Sequence, residues 1–263
     1  MISPQTIELS RAFLKEWEAK YNEARDSTTA KMTQTSQSKK GKGRKAQSDY
    51  EDPSSGAKED IVEAGMKVPN SALDACGASF VAADGDRIKA SMKYFEDTGL
   101  MAVLCHYDQP LFLANLWTTG EKHFYVLAPI AAVFAHLPPH WHISILYDIS
   151  CQLHHSLNKH DYGMDWLSCI EFSVSVFHAY GHQWNCQLWY HPHKSDIWGL
   201  SDGEGCEWFW SKLQKLIPNL HVTGISLFYI QSMKVRIKIL MHYYNSTIID
   251  CSSLISRLNK VTE

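Results

Sequence analysis

The sequence predicts an α/β protein with a mixed sheet flanked by helices, and three observations carry that prediction. Short apolar runs bounded by polar or turn residues, at positions 71–80, 89–95, 100–106 and 111–117, have the length of strands. Phe124, Leu127, Ala131, Phe134 and Leu137 then recur at helical spacing, and Pro138-Pro139 stops the pattern. A β-branched run at 143–147 follows, closes on Asp148 and leads into a segment compatible with another helix. Strands, helix, strand and helix in this order make an α/β arrangement.

Upstream, Ile7, Ser10, Phe13, Trp17 and Tyr21 share one stripe at helical spacing, with Ser3-Pro4 as a start signal. Residues 1–27 are therefore expected to form an N-terminal docking helix. Residues 28–60 are rich in Ser, Gly, Lys and Thr and nearly free of large apolar side chains. They read as a disordered linker, since they cannot bury enough surface to offset their ordering entropy. Inside it, Lys39-Lys40-Gly41-Lys42-Gly43-Arg44-Lys45 is a basic tract suited to nuclear addressing or phosphate contact. Residues 65–220 are expected to form the core, and 221–263 a C-terminal helical extension.

A chain of 263 residues with 45% hydrophobic and 12% aromatic residues can bury a sizeable core. Its formal net charge of −3 gives no global electrostatic footprint for nucleic acid. The N-terminal 25 residues are studded with charge and unlike a secretory signal, and no apolar run has the length of a membrane span. Seven scattered cysteines then read as core residues or metal ligands in a reducing compartment rather than as disulfides.

Among the carboxylates, Asp74 falls inside one expected strand and Asp148 closes another. On neighbouring strands they would converge at one sheet edge, and Glu204 or Glu207 from a later helix would complete a set of oxygen donors. Hard divalent cations such as Mg²⁺ or Mn²⁺ require such donors, and a pair of them serves phosphodiester cleavage. Each carboxylate also has a plain structural use. Asp74 can cap a turn, Asp148 can cap the helix near Ile149, and Ser201 with Glu204 fits a capping box.

Several segments are more specific. Leu73-Asp74-Ala75-Cys76, Asp97-Thr98-Gly99-Leu100-Met101, Gly120-Glu121-Lys122, Leu146-Tyr147-Asp148-Ile149-Ser150-Cys151-Gln152-Leu153-His154, Val176-Phe177-His178-Ala179-Tyr180-Gly181-His182 and Gly199-Leu200-Ser201-Asp202-Gly203-Glu204-Gly205-Cys206-Glu207 occur in consistent order. Together they resemble the Kyakuja-Dileera-Zisupton (KDZ) transposases. The resemblance implies an RNase H-like fold, metal-dependent breakage and joining of DNA at transposon ends and target, and work in the nucleus. It puts a DDE triad on Asp74, Asp148 and Glu207, with Glu204 as the other candidate glutamate. Glu207 is preferred because the aromatic-Ser segment behind it is similar to that of related transposases.

The chain departs from the family pattern at Cys105-His106-Tyr107-Asp108, at Pro129 and at Lys159-His160-Asp161-Tyr162-Gly163, and it is shorter than the family's usual members. A truncated catalytic core is thus one expectation. The other is an inactive relic or domesticated module that binds nucleic acid or protein.

Fourteen histidines are many for this length. Cys151-x-x-His154, His178-x-x-x-His182 and Cys186 have donor types suited to structural Zn²⁺. His178, His182 and Cys186 cannot all reach one ion from a straight helix, since positions eight apart are separated by about 12 Å. The helix would have to break, for instance at Gly181. Trp184, Trp189, Tyr190, Trp198, Trp208 and Trp210 crowd one segment and are expected mainly to pack in the core, though aromatics also stack on unpaired bases.

Overall fold

The computed structural model describes residues 8–39, 60–79, 97, 99–118, 120–138 and 140–214. The basic tract at 40–45, the expected strand at 89–95 and the C-terminal segment 221–263 lie outside them.

Helix α1 spans Arg11–Lys39. Ser10 starts it, its Oγ accepting the Phe13 N–H at 3.2 Å, the bond that satisfies an orphan donor of the first turn. Leu14, Trp17, Tyr21 and Ala24 are buried along one face, which is the expected stripe shifted to include Leu14. The helix continues through 28–39, where the composition suggested a linker. No Gly or Pro occurs between Arg11 and Gly41, and the Thr28, Thr29 and Thr33 hydroxyls donate to carbonyls four residues back. Polarity alone does not break a helix.

Helix α2 covers Asn70–Ser79, where a strand was expected. Ala72, Leu73 and Cys76 are its buried residues, and their spacing is helical rather than alternating. Strands β1 (Gly99–Leu104) and β2 (Pro110–Leu116) form an antiparallel hairpin. Its turn puts Asp108 at φ 58°, a left-handed conformation that Asp tolerates better than most residues.

Helix α3 (Phe124–Phe134) is almost wholly buried and packs against α1. Tyr21 of α1 meets Phe124 at a ring separation of 6.1 Å and stacks on Tyr162 at 5.8 Å. The Tyr125 hydroxyl accepts the N–H groups of Trp117 and Thr118, tying α3 to the end of the hairpin.

Strand β3 (Ile143–Leu146), helix α4 (Ser150–Lys159) and strand β4 (Ile170–Ser173) form a parallel pair with a helical crossover. Short helices α5 (Val176–Ala179) and α6 (Trp184–Trp189) follow, and α7 (Gly205–Gln214) closes the described part. Phe209 of α7 is buried with Ala102 and Leu113 of the hairpin, so α7 lies against that sheet. The protein is thus mixed α/β, with two two-stranded sheets among the described residues rather than one mixed sheet.

Candidate functional site

Two groups of side chains gather where the parallel strands end. At the carboxyl end of β3, Tyr147 N–H donates to the Ser173 carbonyl, and the chain then turns through Asp148 into α4. Ser175 and α5 leave the carboxyl end of β4 beside it. Openings at the carboxyl ends of parallel strands are where α/β sheets bind ligands.

The first group is Asp148, His178 and Glu207, whose donor atoms all lie within 4.8 Å of one another. His178 Nε2 sits 3.6 Å from Asp148 Oδ1 and 3.5 Å from Glu207 Oε1. Those distances exceed a good hydrogen bond, and this buried nitrogen has no hydrogen-bond partner among the described residues. Ser175 Oγ donates to Asp148 Oδ1 at 3.3 Å. Burial holds the Asp148 carboxyl above its usual range; His178 opposes that shift and Glu207 adds to it.

Two further carboxylates lie in this region. Glu121 accepts the Tyr147 hydroxyl at 2.7 Å, and its own carboxyl is raised by burial and, less, by Asp148. Asp108, at the hairpin turn, is raised by burial and then by Asp202. It reaches the start of α7 so closely that a Cβ on Gly205 would lie 2.0 Å from Asp108 Oδ1. The Cys206 thiol is pushed up to about 12 by burial and by Asp148, Glu207, Asp108 and Glu204, so it remains protonated.

Glu204 does something else. Its carboxylate accepts the Phe177 N–H at 3.0 Å, at the start of α5. The expected capping box with Ser201 does not form. Instead Asp202 Oδ1 accepts the Glu204 N–H at 3.1 Å, and the Glu204 carbonyl accepts the Trp208 N–H, the first bond of α7. Gly203 makes this loop possible: its φ is +81°, and a Cβ there would meet Leu146 and Ser175 at 3.0 Å.

Asp74 is exposed on α2 and lies outside the group. The strand expected for it is a helix, so the three carboxylates assigned from the family motif do not assemble as a strand-edge set.

The second group is Cys76, Cys151, His182 and Cys186, all buried and all within 4.8 Å of one another. Cys76 Sγ lies 3.5 Å from Cys186 Sγ, and His182 Nδ1 lies 3.4 Å from Cys151 Sγ. The other imidazole nitrogen, Nε2, is 2.8 Å from the Asp148 carbonyl oxygen. Hydrogen bonds from Cys151 and Cys186 hold the Cys76 thiol far below its ordinary value, and the Gln183 N–H also donates to its sulfur. This buried set could hold a metal ion such as zinc.

The helix does break near Gly181. Helix α5 stops at Ala179, and the Gly181 and His182 N–H groups close turns onto His178 and Ala179. His178 therefore faces the carboxylates while His182 and Cys186 face the thiols. His154 joins neither group. Its Nδ1 pairs with the Tyr190 hydroxyl at 2.9 Å, its ring stacks on Phe172, and burial holds its pKa down at about 4. An unfolded histidine titrates near 6.5, so its contribution to stability is complete above that pH and is lost as pH falls toward 4. His154→Gln is accordingly expected to flatten the pH slope of the urea midpoint between those values; an unchanged slope would refute the assignment.

Half of the six aromatics in this segment are exposed rather than core. Tyr190 is fully buried, but Trp184, Trp189 and Trp208 are exposed, together with Phe177 and Tyr180.

A family model of the Kyakuja-Dileera-Zisupton transposases matches residues 7–227, which is most of the chain. The chain belongs to the KDZ transposase family. No curated protein and no solved structure matches it. Within this KDZ family chain no helix of the described residues is long and apolar enough to cross a membrane. Sequence reasoning missed Cys76 as a partner of the thiol group, and it missed Glu121 beside Asp148 and Asp108 against the start of α7. Each sat inside a quoted or noted motif, but only the tertiary fold shows what it faces.

Proposed function

We propose that this chain is a DDE-type catalytic core, with an RNase H-like arrangement, that cuts and joins DNA strands in the nucleus using Mn²⁺ or Mg²⁺. The observation that carries the proposal is the convergence of Asp148, His178 and Glu207 where β3 and β4 end. The hairpin, helix and strand order leading to Asp148 supports the same reading. Asp108 is a further carboxylate near this region: it comes from the hairpin and abuts α7 two residues before Glu207, outside the Asp148–His178–Glu207 set. The catalytic region is proposed to run over 65–220, with α1 packed on it.

The donors fit a divalent cation: two half-exposed carboxylates and a buried imidazole nitrogen lacking a hydrogen-bond partner. Carboxylates suit Mg²⁺ and Mn²⁺, while an imidazole shifts the preference toward Mn²⁺. When bound, such ions supply an activated water or 3′-hydroxyl and stabilise the leaving oxygen. The protein's part is placement. Ser175 fixes one oxygen of Asp148, His182 fixes its backbone carbonyl, and Glu204 holds α5 so that His178 faces Glu207. Exposed Phe177, Tyr180 and Trp208 flank these residues in sequence and offer faces on which unpaired bases can stack.

The test is Mn²⁺ binding and Mn²⁺-dependent nicking of supercoiled DNA. Glu207→Ala is expected to abolish both. Glu204→Ala should weaken them less, while lowering stability by about 0.5–2 kcal/mol through loss of a helix-cap bond. If Glu204→Ala abolishes nicking and Glu207→Ala spares it, the glutamates have been assigned in reverse. A wild-type chain that binds no Mn²⁺ and cuts no DNA would instead support the non-catalytic module, which the exposed Asp74 favours.

A further inference from the structure

We propose that Cys76, Cys151, His182 and Cys186 form a tetrahedral Zn²⁺ site whose histidine ligand tethers the backbone at Asp148. The four donors come from four separate places: α2, the first turn of α4, the turn after α5, and α6. Buried core cysteines usually point their sulfur at carbon. Here three sulfurs and an imidazole nitrogen point at one another.

The spacing suits a metal site and excludes a disulfide between the paired thiols. Zn–S bonds of about 2.3 Å at the tetrahedral angle separate neighbouring donors by about 3.8 Å. The observed separations of 3.5 Å and 3.4 Å fall a little short of that edge, and all four donors lie within 4.8 Å of one another, so a small adjustment would seat an ion. A Cys76–Cys186 disulfide would need its sulfurs about 2.05 Å apart. Three thiolates around Zn²⁺ leave one net negative charge, and the Gln183 N–H already donates to Cys76 Sγ at 3.2 Å.

His182 has the orientation of a zinc ligand with a supporting partner. Its Nδ1 faces the thiols, and its Nε2 is placed to donate to the Asp148 carbonyl at 2.8 Å. That outer bond sets the tautomer, with the proton on Nε2 and the lone pair of Nδ1 turned toward the thiols, as a metal ligand requires. Because the ring is rigid, fixing it on zinc also fixes the turn that carries the Asp148 carboxylate. The zinc assignment stands on the thiol group alone; the catalytic consequence of the tether rests on the function proposed above.

The experiment uses the full chain purified without chelator. About one zinc per chain is expected, and Co²⁺ exchanged into the protein should show thiolate-to-metal charge transfer and the intense visible bands of a tetrahedral site. Cys186→Ser should reduce both. His182→Cys separates ligation from tethering, since it supplies a fourth thiolate but no donor to Asp148. This variant should keep zinc and lose about tenfold in Mn²⁺ affinity, the scale of an outer-shell partner. Asp148→Asn should keep zinc while losing Mn²⁺, so a failure of the proposed activity remains distinct from a failure here. Folded wild-type protein with no zinc and no thiolate–cobalt band would overturn the site. Unchanged Mn²⁺ affinity in zinc-loaded His182→Cys would overturn the tether.

Discussion

Asp148→Ala is expected to remove Mn²⁺ binding and, with it, all metal-dependent nicking of DNA. Losing an outer-shell partner typically costs 10–100-fold, so deleting a direct ligand should exceed about 100-fold. The geometry explains why no neighbour compensates. Asp148 is the member of the group fixed from three sides, by Ser175 at its side chain, by His182 at its carbonyl and by the ladder bond of Tyr147 just before it. Glu121 is nearby but already accepts the Tyr147 hydroxyl. Isothermal titration with Mn²⁺ and a plasmid-nicking assay on the same preparation would check the prediction. A variant that retained nicking within tenfold of wild type would remove Asp148 from the chemistry.

The second large effect concerns α1. Leu14→Ala is expected to cost about 2–5 kcal/mol, the range for a fully buried leucine truncated without collapse of the site. Leu14 is 1% exposed and belongs to the same core cluster as Phe124, Tyr125 and Leu127 of α3. An appended docking helix would behave differently: its truncation would release the helix while leaving the body's unfolding midpoint unchanged. A single unfolding transition, shifted as a whole to lower urea, is the expected result. Glu16→Ala, on the exposed face of α1, serves as the control and should shift it little.

What the sequence revealed depended on how local the determining interaction is. The two strands of the hairpin, α3 and β3 were readable because their apolar patterns are self-contained, and the position of Asp148 just beyond β3 was readable because it ends a β-branched run. The segment containing Asp74 was misread because a ten-residue stretch with three apolar contacts fits either period; Ala72, Leu73 and Cys76 settle it only once α4 and α6 lie against them. Residues 28–39 were misread from polarity, when the absence of Gly and Pro was the more direct guide to helix. Glu204 and Glu207 were both visible as candidates. Their division of labour was hidden, since Glu204 caps a helix 27 residues earlier rather than its own. Cys76 was hidden most deeply, because its sulfur neighbour Cys186 is 110 residues away.

That last separation affects how the protein is made. A ribosome releases Cys76 long before Cys151, His182 and Cys186, and until the last of them emerges the set that encloses the Cys76 sulfur in the finished fold is incomplete. During that interval it is an open thiol on a nascent chain, available to oxidants, to alkylating agents and to the wrong cysteine. The hairpin, by contrast, closes over a short loop as soon as its second strand is out. Local pairing can thus precede the buried thiol group, and refolding yield is expected to rise when a reductant is present until all four donors are enclosed.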